Sequence, residues 1–387
     1  MINKNKDKGI TLVALVITII ILLILATISI QSLTNTGLFQ KANEAKEKMQ
    51  NAEENQAKTL NEYEDELNKY ISGTVEERKD PIKEVANKVL STTDNTELQD
   101  AYGNKIVVPA GFKIVSDSTT SNATTVDKGI VIEDATTGAT AGSQFVWIPV
   151  GKIYTDVAKT DANAKTIELG RYSFDYSTGL ESAYSGSYVE EDANDESTLT
   201  NTENKAIAKN ITNFKNSVTS NGGYYIGRYE ARTTTPRTSA DNALTQITEK
   251  ITDHIYNYVT QVQSAQLSQH MYNTSKFTSD LINSYAWDTA IIFIQKCTNQ
   301  TNYANQTSLN DSFLATGTSI DKQCNIFDMA SNVAEFPTET SNISSNPCVY
   351  RGGYYSSTLG YTSLRDNCII SSSTPTLGFR PILYLTI

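Results

Sequence analysis

Hydrophobic and polar positions divide the chain into three regimes. From Ile10 to Ile30 the residues are apolar and uncharged, interrupted only by Thr11, Thr18, Thr27 and Ser29. At about 1.5 Å of rise per residue, such a run matches a bilayer core of about 30 Å and predicts a transmembrane helix over 10–30. From Leu38 to Ile71 the apolar residues, among them Leu38, Ala42, Ala45, Met49, Ala52, Leu60, Tyr63, Leu67 and Tyr70, recur mostly at three- and four-residue steps among Lys, Glu, Gln and Asn. That spacing predicts an amphipathic rod helix over 31–72. Gly73 and Pro81 stop it, and a polar linker fills 73–100. Beyond Ala101 the pattern shortens, and Lys105-Ile-Val-Val-Pro109, Gly129-Ile-Val-Ile-Glu133 and Gln144-Phe-Val-Trp-Ile-Pro149 read as strands. Residues 154–220 read as a long polar loop region with one short helix near Glu203–Val218. Gly223–Glu230 reads as a strand and Ser279–Gln295 as a helix. The fold class expected is α+β, a long N-terminal transmembrane and amphipathic helix followed by a loop-rich domain over 101–387.

The residues ahead of the apolar run sharpen the reading of the anchor. Lys4, Lys6 and Lys8 precede Gly9, and Ile10 opens the run. This arrangement resembles the type IV prepilin signal. The resemblance implies a leader over 1–9, removed after Gly9 by a prepilin peptidase that methylates the new terminus at Ile10. Lysines before the run place the N-terminus in the cytoplasm and the bulk of the chain outside a bacterial cell membrane crossed once. Polymerising pilins carry Glu at the fifth mature position, where this chain has Ala14. A carboxylate there is costly unless paired, so Ala14 suits a monomeric anchor as well as a pilus subunit packed on other pilins.

Charge and composition narrow the partners. The net charge is −11 with no basic stripe, which argues against nucleic acid. Two histidines leave little room for His-based metal or triad chemistry. The 21 tyrosines fill a β-rich core for the most part, although Tyr is also favoured on binding surfaces. The four cysteines, Cys297, Cys324, Cys348 and Cys368, lack zinc-ligand spacing and permit three pairings. An extracytoplasmic domain favours a disulfide, with Cys324–Cys348 the expected one.

Five segments in order resemble the formylglycine-generating sulfatase-modifying family, a variant of the C-type lectin fold. They are Phe145-Val-Trp-Ile-Pro149, Tyr224-Tyr-Ile-Gly-Arg-Tyr-Glu230, Asn283-Ser-Tyr-Ala-Trp-Asp-Thr-Ala290, Asn325 through Phe336, and Tyr350-Arg-Gly-Gly353 with Gly378-Phe-Arg380. The resemblance implies a lectin-type domain over 101–387, with Arg351 and Arg380 pairing buried carboxylates such as Glu335. It also makes Asn332 a candidate calcium ligand, against the plainer reading of Asp and Asn as turn formers. The family's enzymes hold copper with two cysteines beyond the closing Gly-Gly, where this chain has Ser357 and Thr362. A hydroxyl does not replace a thiolate for a soft metal, so neither that oxidase chemistry nor its cofactor is expected. No H-E-x-x-H, G-x-S-x-G or G-K-[ST] motif supplies another chemistry.

The segment in that place has its own signature. Tyr354 through Thr376 reads YYSSTLGYTSLRDNCIISSSTPT, without Lys, Glu, Gln, Trp or Met. It is rich in Tyr, Ser, Thr, Asn, Asp, Cys and Ile, residues that randomised adenines in Asn codons reach, whereas the five absent types are out of their reach. The ending, Arg351-Gly-Gly353 with Phe379-Arg-Pro381, resembles variable proteins of diversity-generating retroelements. The expectation is a cell-surface recognition domain that binds an extracellular protein or glycan through Tyr354, Tyr355, Ser356, Ser357, Tyr361, Asp366 and Asn367. The alternative is a structural minor pilin whose outer domain is a spacer.

Overall fold

The computed structural model describes residues 12–35, five isolated positions between 46 and 56, 80–190, and 210–387 apart from 242, 252, 316 and 359. Contacts divide the chain into two units, Met1–Arg78 and Lys79–Ile387.

In the first unit, α1 (Leu12–Asn35) is a helix whose described side chains, 15–29, are exposed, with the Thr27 hydroxyl donating to the Leu23 carbonyl at 2.6 Å. Among the described residues, no helix is long and apolar enough to cross a membrane. The single-pass anchor expected over 10–30, and the membrane localisation drawn from it, are corrected accordingly. The leader with Gly9 and Ile10 lies outside the described residues, and so does the rod beyond 35 but for isolated helical positions such as Lys46 and Met49.

The second unit begins ahead of the expected boundary at 101. A one-turn helix, α2 (Pro81–Val85), is capped by the Asp80 carboxylate and buries Ile82 in the core. Thr96–Gln99 pairs antiparallel with Lys105–Val108, so part of the expected linker belongs to the domain. Three longer helices follow, α3 (Ile211–Asn221), α4 (Gln261–Met271) and α5 (Ser284–Cys297). Each is capped at its start by a side chain, Asn210, Thr260 and Asn283 in turn, which accepts from a backbone N–H of the first turn.

Ten strands frame the unit: β1 (Phe112–Val115), β2 (Val131–Asp134), β3 (Gln144–Pro149), β4 (Gly223–Gly227), β5 (Phe277–Leu281), β6 (Ala334–Phe336), β7 (Cys348–Arg351), β8 (Arg365–Cys368), β9 (Leu377–Phe379) and β10 (Pro381–Leu385). An antiparallel sheet runs β5-β10-β4-β3-β2-β1. A smaller one runs β8-β7-β6-β9, with β6 and β9 parallel. Strands β4 and β10 are buried at every position, which explains their continuous apolar and aromatic sequence. Trp147 packs on Tyr225 at 4.9 Å, and Phe112, Phe145, Tyr272 and Phe277 form one aromatic cluster.

Mostly β structure, with five α-helices among the described residues, replaces the expected α+β class with its long N-terminal helix. Two local readings change with it. Residues 154–220 hold hairpins pairing Gly151–Tyr154 with Ala164–Ile167 and Tyr172–Phe174 with Glu181–Ala183, besides α3. The helix expected over Ser279–Gln295 is a strand, β5, followed by α5, which runs on to Cys297.

Candidate functional site

The smaller sheet carries the segment that composition singled out. Arg351 ends β7 and Arg365 opens β8, directly opposite each other in the ladder. Both guanidiniums face inward. Arg351 meets Asp288 of α5 at 2.6 Å, and its Nε donates to the Leu364 carbonyl at 2.8 Å. Arg365 pairs with the other oxygen of Asp288 and with Glu339 at 3.0 Å, while Arg171 also pairs with Glu339. Two guanidiniums lie over the Tyr184 ring, that of Arg365 at 4.3 Å and that of Arg171 at 4.5 Å from its centroid. Burial and the neighbouring Arg365 lower the Arg351 pKa, against the pull of Asp288 and Glu339. Burial works against Arg365 too, but the same two carboxylates hold it above the ordinary value. Arg380 forms a separate buried pair with Glu335 at 2.7 Å and donates to the Gly227 and Phe327 carbonyls.

On this frame the chain turns outward. Gly352 has φ +76, and a Cβ there would lie 2.6 Å from the Met329 carbonyl oxygen. At Gly353 a Cβ would meet the Ala330 carbonyl oxygen at 2.3 Å, so the backbone passes where side chains do not fit. The loop returns under the Trp287 indole, which donates to the Thr362 carbonyl at 2.9 Å. Between these fixed ends Tyr354, Ser356 and Thr358 are exposed, and Tyr355, Ser357 and Tyr361 are half-buried.

Neighbouring loops extend the surface. Tyr355 meets Phe313 edge-on at 5.9 Å, and Tyr361 meets Tyr176 edge-on at 6.0 Å. Tyr176 is 71% exposed and Phe313 44%, beside Tyr354 at 37%, so these rings present faces to solvent. On the β8 side the Tyr350 hydroxyl donates to Asp366 at 2.8 Å, and Asn367 donates to the Tyr188 hydroxyl at 3.0 Å. Burial and then Asp366 push the Tyr350 phenol up, with Tyr354 close enough to add to the effect. The structure thus gathers Tyr354, Tyr355, Ser356, Ser357 and Tyr361 on one loop. Asp366 and Asn367 stand on the strand beside it, engaged with tyrosines. Sequence reasoning missed Tyr176, Tyr188, Tyr350 and Phe313. No periodicity marks Tyr176 or Tyr188, because Tyr176 lies in the turn between Tyr172–Phe174 and Glu181–Ala183 and Tyr188 follows the second of these strands.

The other expected site residues are placed differently. Asn332 is buried at φ +70; its side-chain oxygen accepts from the Leu314 N–H at 3.1 Å and its amide donates to Glu230 at 3.1 Å. Among the described residues, no group of three or more His, Cys, Asp or Glu side chains is placed to hold a metal. Cys324 and Cys348 are not brought together, and no disulfide joins any of the four cysteines in this structure. Cys324 lies beside the Asp127 carbonyl, its sulfur 3.8 Å away, and lines a cavity with Cys297.

Glu190 ties the frame to the start of α5. One carboxylate oxygen accepts from the N–H and hydroxyl of Ser284, both at 2.7 Å, and the other accepts from Thr338. Burial of the carboxyl group, then the nearby Glu339, push it up to about 7. The folded state therefore holds a proton that the unfolded state releases near 4.5. This contribution to stability is full below about 4.5 and is lost as pH rises towards 7. The urea midpoint is expected to fall between pH 5 and pH 8, and Glu190→Gln should flatten that slope. A variant with the parent's slope would show that Glu190 is not the titrating group.

No family model matches the chain, and no curated protein matches it. Among solved structures it is similar to CarF, with 16% identity over 28% of this chain and a TM-score of 0.23. The chain spans 48% of CarF. It is also similar to Treponema denticola variable protein 1, with 12% identity, 64% of this chain and 98% of that one covered, and a TM-score of 0.34.

Proposed function

We propose that this chain is a ligand-recognition protein rather than an enzyme, and that it binds a protein or glycan partner through the 354–361 loop flanked by Tyr176 and Phe313. The observation that carries this reading is the contrast within one short segment. Arg351, Gly352, Gly353, Thr362 and Arg365 are locked by buried ion pairs, close backbone passage and an indole hydrogen bond. Between them lie aromatic and hydroxyl side chains turned to solvent. Tyr gives large amphipathic contact area with few rotors, Ser and Thr give adaptable hydrogen bonds, and a rigid base lowers the ordering cost of binding.

The composition of 354–376 supports a finer reading, that the loop is diversified through adenines while its frame is kept. Sequencing the 3′ end of the gene in sibling isolates tests it. Substitutions are expected to concentrate at the loop codons, including the exposed 354, 356 and 358 and the half-buried 361, with Arg351, Gly352, Gly353 and Arg365 unchanged. Substitutions spread evenly over the domain would remove the diversification reading and favour a spacer domain.

A further inference from the structure

We propose that Cys348 and Cys368 form a disulfide that staples the base of the recognition loop. The two cysteines are direct partners in the antiparallel β7–β8 ladder, the same ladder whose other end sets Arg351 opposite Arg365. Directly opposed residues of an antiparallel pair have Cα atoms about 4.5–5.5 Å apart and side chains on one face. A disulfide takes Cα separations of about 4.4–6.8 Å, so the ladder supplies the geometry without backbone movement. Cys324 lies with Cys297 at another cavity, which sets this pairing against Cys324–Cys348.

The chemistry needs a disulfide oxidant, either a small-molecule disulfide or an oxidised protein dithiol. Cys368 is half-buried and Cys348 buried, so Cys368 is the sulfur that an oxidant reaches. Its thiolate attacks the oxidant's disulfide and releases one thiol. The Cys348 thiolate then attacks the Cys368 sulfur of the mixed disulfide and releases the second. The two protein thiols lose two protons and two electrons, and the oxidant is reduced to two thiols. Burial, then the adjacent Cys368, push the Cys348 thiol up to about 12, so the second step is slow in the folded domain and faster while the strands assemble. The closed loop contains the whole of 354–361 together with Arg351 and Arg365. The inference stands on ladder register, and only its consequence for binding rests on the recognition reading.

Peptide mapping decides the matter. The full chain is refolded with glutathione disulfide, alkylated, and digested unreduced with trypsin and a protease that cuts after acidic residues. Trypsin separates Cys348 from Cys368 at Arg351 and Arg365, and cuts after Asp328, Glu335 and Glu339 separate Cys324 from Cys348. The expected product is a linked pair of peptides, one holding Cys348 and the other Cys368, which falls apart on reduction. In the Cys368→Ser variant Cys348 should be recovered alkylated. Recovery of Cys348 joined to Cys324 or Cys297, or alkylation of both Cys348 and Cys368 in the refolded parent, overturns the proposal, whatever the chain binds.

Discussion

Replacing Arg351 by Ala is expected to cost the second unit on the order of 3–5 kcal/mol, the range for removing one partner of a buried ion pair. Arg351 is fully buried, and its loss leaves Asp288 facing Arg365 alone while Glu339 loses one of three cationic neighbours. The Leu364 carbonyl also loses its donor, which frees the strand that returns the loop. A domain of this size should melt about 5–8 °C lower. Arg351→Lys should rescue little, because an ammonium does not reach Asp288 and the Leu364 carbonyl in one planar arrangement. Thermal melts of the parent and both variants check this. A loss under about 1 kcal/mol would mean that the carboxylates find other partners and that the frame is not the rigid base described above.

The strands were the most legible part of the sequence, and the contacts that build the surface were the least. Gln144–Pro149 was read to the residue because turn signals bound a continuous β-branched and aromatic run. Helix α4 left no such trace. Its buried side includes Gln261, Ser264, Ser268 and Gln269, and Gln261 reaches the Pro337 and Glu339 carbonyls at 2.7 and 2.8 Å. A helix that buries hydrogen-bonded amides shows no apolar stripe to a periodicity reading. Strand β5 was absorbed into the following helix because Asn283, which ends one element and caps the next, was read as an interior residue. The Arg380–Glu335 pair was foreseen from the resemblance. The link from Arg365 to Asp288 crosses 77 residues of sequence and leaves no local signal. Separation along the chain also hid Phe313 and Tyr176, which belong to the surface only because the fold brings two other loops to Tyr355 and Tyr361.

Truncating Tyr354, Tyr355 and Tyr361 together to Ala is expected to leave the domain folded and to weaken binding at least tenfold. Tyr354 is exposed, so its loss should change stability by under about 0.5 kcal/mol. Tyr355 and Tyr361 each lose one edge-on ring contact, worth about 0.5–1.5 kcal/mol. At an interface, each aromatic anchor removed typically costs about 2 kcal/mol or more. Phe313→Ala and Tyr176→Ala should each weaken binding as well, since each supports one of the tyrosines and presents its own ring. The direct measurement applies the second unit, residues 79–387, to a glycan array and to an array of extracellular proteins, parent and triple variant side by side at equal folded concentration. The parent should give a signal on one of the two arrays and the triple variant at least a tenfold weaker one, with circular dichroism unchanged. Equal signals from parent and variant, or no parent signal on either array, would contradict recognition through this loop.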